Sequence, residues 1–247
     1  MTHRFNLLRR AEASHSYGFV MFFVVATIVL AVAIPESSPW RASIVACQAS
    51  AAVIACWTSD APQRVFRFVL VISALSVLGA IGLSVFGGTN SVAGRSMNVI
   101  GVVVVAAVII RGIILDIKAE GVRGRALAGA LTVYLLFGTL CGFLYGLEES
   151  ISNNPVLHAS NSTLNDDGST SSNMYFSFVT LTTVGYGDLT PVSGGARATA
   201  IFEALVGQLY LVGIVATLGG ALGKGRGGMR KELASEAASA PPANSDG

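Results

Sequence analysis

The nine residues from Thr180 to Asp188 read TLTTVGYGD and stand between two long apolar stretches, 126–147 and 199–222. A membrane-crossing helix needs roughly 20 predominantly apolar residues, so two glycines, a tyrosine and an acid at this place need another explanation. The preceding segment, 174–183, is moderately apolar, and a helix of that length extends about 15 Å, half the hydrocarbon core. The pattern predicts a short helix that enters the membrane from one side and returns as extended chain.

Extended backbone inside a membrane has unpaired peptide groups, each of which costs several kcal/mol when it faces lipid. Such a segment is surrounded by protein or lines a watery path, and a row of carbonyls along that path suits a dehydrated cation. Gly185 and Gly187 tolerate the positive φ angles that aim successive carbonyls at one axis. The C-terminus of the short helix would direct a partial negative charge at the cation. Because one chain supplies one strand, we expect several copies around the ion.

Composition indicates an integral membrane protein. Of the 247 residues, 52% are hydrophobic and 12% are charged, which is about half the charge of a soluble domain. A cleavable signal peptide is the competing interpretation of the first apolar stretch, although that stretch lacks a clear small-residue cleavage site. The apolar stretches predict six membrane spans, at 17–34, 42–57, 65–86, 97–117, 126–147 and 199–222.

Basic residues concentrate on one side of these six spans. Because loops rich in Lys and Arg stay in the cytoplasm, we expect both termini to be cytoplasmic. The net charge of +2 reflects this asymmetry and indicates no nucleic-acid partner. On the cytoplasmic side lie Arg4, Arg9, Arg10, Arg64, Arg67, Lys118, Arg123, Arg125, Lys224, Arg226, Arg230 and Lys231. On the outer side lie Arg41, Arg95 and Arg197, whereas Arg111 falls within a span.

The stretch TLTTVGYGD resembles the selectivity-filter signature of potassium channels, and the resemblance to their pore module covers roughly 126–222. Filters of this kind are built from four TVGYG loops. The resemblance therefore implies an all-α membrane protein with six transmembrane helices, a re-entrant pore helix and a filter loop, assembled with three further copies of itself. It also implies that dehydrated potassium is held by the carbonyls of Thr183, Val184, Gly185 and Tyr186 and by the Thr183 hydroxyl.

The same resemblance assigns support of the filter to residues around it. Asp188 lies at the outer mouth, where a carboxylate concentrates cations, and the alternative for it is an ordinary exposed loop acid. Tyr175 and Phe176 stand where many members have tryptophans, and Val179 where some have a glutamate paired to the acid after the filter. These departures leave the stability of the filter open. The other support residues are Gly187, Thr180 and Thr182.

The last span carries the candidate cavity and gating residues. Gly207 matches the glycine at which such inner helices bend, but close helix packing explains a membrane glycine equally well. Glu203 is charged within the span, and we favour a hydrogen bond behind the filter over direct contact with the ion. Thr180 and Thr182 are its candidate partners. By the resemblance, one helical face lines the cavity with Gln208, Leu211 and Val215.

The fourth span lacks the arginine repeat of a voltage sensor. Steep gating needs about 3–4 charges per subunit, whereas this span contains Arg111 alone, which either snorkels to the interface or pairs with an acid. The first four spans are therefore predicted to be a scaffold around the pore. The basic link 116–127 either lies on anionic lipid or is an ordinary cytoplasmic loop.

The leading hypothesis is a potassium-selective channel of the plasma (inner) membrane, passive and without strong voltage sensing. An ion-translocating transporter subunit and a non-conducting scaffold are the alternatives. No nucleophile–base pair or metal cluster suggests an enzyme, no cofactor is expected, and a regulatory partner stays open. The predicted organisation is a cytoplasmic N-terminus (1–16), a four-helix scaffold (17–117), a cytoplasmic linker (118–125), a pore domain (126–223) and a disordered cytoplasmic tail (224–247).

Overall fold

The computed structural model describes residues 16–34, 42–58, 63–85, 92–120, 124–160 and 169–239. Within these residues the chain forms seven helices and two three-residue strands, so the fold is all-α, as the sequence predicts. The helices are α1 (Ser16–Ala33), α2 (Ala42–Thr58), α3 (Gln63–Val85), α4 (Val92–Glu120), α5 (Gly124–Ser152), α6 (Thr170–Leu181) and α7 (Gly194–Ser239). The strands are β1 (Leu157–Ala159) and β2 (Leu189–Pro191).

Four helices are long and apolar enough to cross a membrane. Their spans are Gln63–Gly82 in α3, Val92–Ile114 in α4, Ala128–Ser152 in α5 and Gly194–Ile214 in α7. The chain is therefore a multi-pass membrane protein. Helices α1 and α2 contain shorter apolar stretches, Gly18–Ala33 and Ser43–Cys56. That these two also cross the membrane, for six spans in all, stays a prediction.

The main hydrophobic core lies where α1, α2, α4 and α5 pack together and extends to α6. Small residues let the helices approach closely. This is expected in a membrane, where close packing and not the hydrophobic effect holds helices together. On α2 the small buried residues are Ala51, Ala52, Ala55 and Cys56. Helix α3 packs against α2 and α4. It buries Val69 in the core but exposes Phe68, Leu75 and Leu78. This exposed surface suits contact with lipid.

A second, smaller core holds the outer part of the predicted pore domain together. It joins α5, α6 and the start of α7 to the two strands, with Leu157 of β1 and Leu189 of β2 buried in it. The strands pair antiparallel, with His158 opposite Thr190. Strand β1 lies in the polar connection between α5 and α6, and strand β2 directly follows Asp188.

Two helix ends differ from the sequence predictions. Helix α4 begins at Val92, so Arg95 lies in its first turns and not in the preceding loop. Helix α7 continues to Ser239, although the tail was expected to be disordered from residue 224. The stretch 229–239, MRKELASEAAS, contains mostly good helix formers and no proline, which explains the extension. Residues 1–15, 121–123 and 240–247 of the predicted termini and linker lie outside the described residues.

Candidate ion-binding site

Helix α6 is the short helix that the sequence predicts before the filter-like stretch. It begins at Thr170, four residues earlier than expected, because the Ser169 hydroxyl caps it by accepting the Ser172 N–H at 3.1 Å. It ends at Leu181, and Thr182 closes it through its N–H and its hydroxyl, which both donate to the Phe178 carbonyl, at 3.0 and 2.6 Å. These caps set where the chain leaves the helix.

Glycines on both sides hold α6 in close contact with α5 and α7. A Cβ atom on Gly138 or on Gly207 would lie 2.7 or 2.6 Å from a Leu181 methyl carbon, and one on Gly142 would lie 2.7 Å from the Met174 sulfur. A larger residue at these positions would force the Leu181 or Met174 side chain to move. Helix α7 is continuous through Gly207, so the structure supports the packing role of this glycine, and the hinge stays a prediction.

The backbone after α6 alternates in handedness. Thr183, Gly185 and Gly187 have φ angles of +58°, +56° and +77°. The two glycines meet the expectation that they take positive φ. The value at Thr183 is unexpected, because a β-branched residue rarely adopts it. With a positive φ at every second residue, successive carbonyls point to the same side of the segment. In a regular strand they point to alternate sides.

The N–H groups of this segment bond back to α6. Those of Val184 and Gly185 both donate to the Val179 carbonyl, at 3.0 and 3.3 Å, and that of Thr183 donates to the Thr180 carbonyl at 2.9 Å. In a planar trans peptide the C=O points opposite to the N–H. The Thr182, Thr183 and Val184 carbonyls therefore face away from α6. Residues 182 to 187 are exposed in the single chain, Val184 at 51% and Tyr186 at 70%.

Asp188 is fastened at the end of this segment. Its carboxylate accepts a hydrogen bond from the Tyr175 hydroxyl at 2.6 Å and another from the N–H of the next residue, Leu189, at 3.0 Å. Its carbonyl accepts the Ser160 N–H at 2.8 Å. The hydrogen bond to Asp188, with smaller contributions from burial and from nearby charge, raises the Tyr175 pKa to about 12. Asp188 is thus anchored between α6 and the β1–β2 pair, unlike a free loop acid.

Aromatic packing supports the same region. The Tyr175 and Tyr186 rings stack with centroids 6.4 Å apart. Phe176 is buried and packs edge-on against Tyr145 of α5 with centroids 5.1 Å apart. Although α6 has no tryptophan, Tyr175 therefore supplies a hydrogen-bonding aromatic group beside the segment.

Glu203 is fully buried between α5, α6 and α7. Its carboxyl group contacts the Tyr145 hydroxyl at 2.8 Å and the Ser177 hydroxyl. Thr180 and Thr182, the partners suggested by the sequence, are not the ones it contacts. The helical register explains the difference. Gly207 packs on Leu181, so Glu203, one turn before Gly207, lies level with Ser177, one turn before Leu181.

The hydrogens available around Glu203 favour a neutral carboxylic acid. The Ser177 hydroxyl lies 2.7 Å from the Gly138 carbonyl and also contacts Glu203. A hydroxyl has a single hydrogen, so it can donate to only one of these two acceptors. If Glu203 is protonated, it donates to Ser177, Ser177 donates to Gly138, and Tyr145 donates to the other carboxyl oxygen. Every buried group in the cluster then has a partner.

Below the segment, Gln208 donates from Nε2 to the Thr183 hydroxyl at 3.2 Å, next to where the sequence places it. Leu211 is exposed, and the Val215 side chain lies outside the described residues. Sequence reasoning missed Tyr134, whose hydroxyl donates to the Leu181 carbonyl at 3.1 Å, and Tyr145. A sequence signal existed for both: Tyr134, Gly138, Cys141 and Tyr145 recur at helical spacing on one face of α5.

The two arginines of α4 differ in their surroundings. Arg111 is exposed on α4. Arg95 donates to the Gly146 carbonyl and lies 3.4 Å from the Glu149 carboxylate, both on α5. It therefore fastens the N-terminal end of α4 to α5.

Residues 129–224 match the family model described as ion channel. Comparison with curated proteins and with solved structures gives no match. The chain therefore carries an ion channel domain, and this domain contains α6, the filter-like segment, the β1–β2 pair and most of α5.

Proposed function

We propose that the chain is the subunit of a potassium-selective channel, four copies of which surround one pore and conduct potassium passively. The observation that carries this proposal is the backbone from Thr183 to Gly187, where positive φ alternates along the chain and the N–H groups of Thr183, Val184 and Gly185 are bonded to α6. The carbonyls opposite those N–H groups are left on the open side, where they can replace the water around a cation.

Selectivity for potassium follows from the number and the field of such carbonyls. The Thr183 and Val184 carbonyls are among those on the open side. By the resemblance to filters built from TVGYG loops, we assign the coordinating oxygens to these two carbonyls, to those of Gly185 and Tyr186 and to the Thr183 hydroxyl. Gln208 orients that hydroxyl from below. Asp188, held by Tyr175, adds a negative charge at the outer mouth, which raises the local concentration of cations.

Assembly of four copies is supported by what the single chain leaves uncovered. One face of α7 exposes Leu205, Leu209 and Val212 at 60%, 74% and 63%. Tyr186 is also exposed in the single chain, at 70%. Exposed apolar side chains on α7 and an exposed polar segment suit contact with identical copies around a central axis.

Strong voltage sensing is not part of the proposal. Arg111 is exposed in α4, and Arg95, the other basic residue in the described part of that helix's membrane span, is paired with Glu149. One mobile charge per subunit is about a third of what steep gating uses. The excess of basic residues on one side of the spans supports an orientation with both termini in the cytoplasm, and we place the channel in the plasma membrane.

Rubidium uptake into vesicles that contain the purified protein tests the proposal. If the protein is a potassium channel, the vesicles take up rubidium down its gradient without ATP. Barium blocks this uptake, and sodium is not taken up. Gly185→Ala should abolish uptake, because Ala is strained at φ +56°. Gly213→Ala is the matched control, since no atom lies within 4 Å of its added Cβ. Uptake that requires ATP or sodium would identify a transporter, and no uptake at any voltage or pH would identify a scaffold.

A further inference from the structure

A cavity of about 70 Å³ lies between α2, α3, α4, α5 and the first turns of α6. About 10 to 15 Å³ of such space is enough for one water molecule, so this cavity has room for several waters or for one small organic molecule. It is lined by none of the residues assigned above to ion coordination. Its occupant would therefore be distinct from the permeant ion.

The cavity wall combines polar and apolar side chains. Its polar side chains include Asn98 of α4, Asn173 of α6 and Ser73 of α3. Its apolar side chains include Val104 and Val105 of α4 and Ile72 of α3. A water molecule needs two to four polar partners, so waters bind well beside the polar side chains and poorly against the apolar ones. This mixture suits a ligand with a small polar head and an apolar body.

Gln48 of α2 supplies a hydrogen-bond acceptor in the cavity wall. Its side chain is 6% exposed, and its Nε2 donates to the Asn98 carbonyl at 3.2 Å. The amide is not reversible, because only Nε2 can donate to that carbonyl. Within the described residues, Gln48 Oε1 accepts no hydrogen bond. A buried amide oxygen without a donor is unfavourable, so this atom marks where the head of a ligand would bind.

The charge at the outer end indicates a neutral head group. Arg95 lines the cavity, but its guanidinium already contacts the Gly146 carbonyl and the Glu149 carboxylate. An anionic ligand would have to compete with Glu149 for that cation. A hydroxyl group needs only the acceptor on Gln48 and brings no charge into the membrane.

We propose that this cavity binds a small neutral alcohol, whose hydroxyl donates to Gln48 Oε1 and whose alkyl chain lies along Ile72, Val104 and Val105. The cavity volume is far too small for the two chains of a phospholipid. Because Asn173 of α6 forms part of the wall, the bound alcohol touches the helix that carries the filter-like segment. Binding itself is independent of whether that segment conducts potassium.

The test uses the full chain in lipid nanodiscs and hexan-1-ol that carries a diazirine on its alkyl chain. After irradiation, we expect adducts on residues of the cavity wall that saturate with probe and disappear with excess hexan-1-ol. Gln48→Leu, which removes the acceptor at similar volume, should weaken this competition about ten-fold. Ala49→Leu, which fills the cavity and keeps Gln48, should abolish the competed adducts.

Adducts on the lipid-facing residues Leu75 and Leu78 serve as the internal control, because partitioning into lipid does not saturate. The proposal is overturned if adducts occur only at those positions. It is equally overturned if cavity adducts are not competed by hexan-1-ol, as expected for a cavity that holds water alone. Equal competed labelling in the original chain and in both variants would also refute it. Thermal unfolding of each variant verifies that it is folded, so that a difference in labelling comes from the cavity and not from loss of the fold.

Discussion

At the scale of single residues, the buried cluster around Glu203 shows how one acid is accommodated inside a membrane protein. The charge of an isolated carboxylate there would cost several kcal/mol. The Tyr145 and Ser177 hydroxyls and the Cys141 thiol hydrogen-bond with it, and Ser177 also contacts the Gly138 carbonyl. The cluster joins α5, α6 and α7 and so holds α6 in position.

Replacement of Glu203 distinguishes a neutral from a charged group. Glu203→Gln reproduces the protonated acid, since its amide donates to Ser177 and accepts from Tyr145, and we expect a loss of stability within about 1 kcal/mol. Glu203→Leu leaves the hydroxyl of Tyr145 without its partner and should cost about 2–4 kcal/mol. Denaturant unfolding of the detergent-solubilised protein measures both. If Gln proves as harmful as Leu, the cluster needs the negative charge.

Tyr175 is the second residue whose role is local. Tyr175→Phe removes the hydroxyl that Asp188 accepts at 2.6 Å, and in this half-buried position the loss should be about 1 kcal/mol. We expect potassium current to decline faster during sustained opening, because the outer mouth is held less firmly. Macroscopic recordings measure the decline. In an Asp188→Asn background the same change should have a smaller effect, and an equal effect would contradict the bond.

The pH dependence of this contact follows from the Tyr175 pKa. An unperturbed tyrosine has a pKa near 10, and the bond to Asp188 raises that of Tyr175 to about 12. The stabilisation is therefore fully present below about pH 10 and is lost as the pH rises towards 12. In a thermal melt series, the difference between the original chain and Tyr175→Phe should be constant from neutral pH to about 10 and vanish above 12. A difference that disappears below pH 9 would contradict this assignment.

At the scale of elements, α6 is a helix that tertiary contacts stabilise. Its sequence, TSSNMYFSFVTL, contains several residues that favour caps or strands, and twelve residues are too few for a stable isolated helix. Caps at Ser169 and Thr182 and the close contacts with Gly138, Gly142 and Gly207 hold it in place. The length and apolar character of the segment before TLTTVGYGD located the helix, but its first residue depended on the Ser169 cap.

The β1–β2 pair joins the connection between α5 and α6 to the end of the filter-like segment. His158 and Thr190 are directly opposite and both exposed, and opposite residues in antiparallel strands are close enough for a disulfide. The variant His158→Cys with Thr190→Cys should form this disulfide on oxidation. Mass spectrometry before and after reduction detects it. The control pair, His158→Cys with Val192→Cys, moves the second cysteine by two residues to the next position on the same face. An equal disulfide yield in the control pair would contradict the register.

At the scale of the whole molecule, the exposed surfaces differ in what they are expected to meet. Helix α3 exposes Leu78 at 66%, and α7 exposes Leu209 at 74%. In the proposed tetramer Leu209 is covered by a neighbouring copy, whereas Leu78 faces lipid. Leu209→Trp should therefore reduce the fraction of assembled tetramer several-fold, because the interface has no space for the larger ring. Leu78→Trp should leave assembly unchanged.

Native mass spectrometry from detergent measures this fraction for the original chain and for both variants. An original chain that is a monomer under native lipid conditions would contradict the tetramer. If both tryptophan variants assembled equally well, Leu209 would lie outside the interface, and a different face of α7 would have to meet the partner.

The hydropathy and the length of the apolar segments in the amino-acid sequence were sufficient to predict a multi-pass, all-α membrane protein with a short helix before TLTTVGYGD. These properties depend on neighbouring residues along the chain, so a single sequence contains them. Tertiary structure alone decided that Glu203 meets Tyr145 and Ser177, that β1 pairs with β2, and that Thr183 joins the glycines at positive φ. The Glu203 contacts connect positions 58 and 26 residues apart, and the relative register of packed helices, which no local pattern encodes, brings them together.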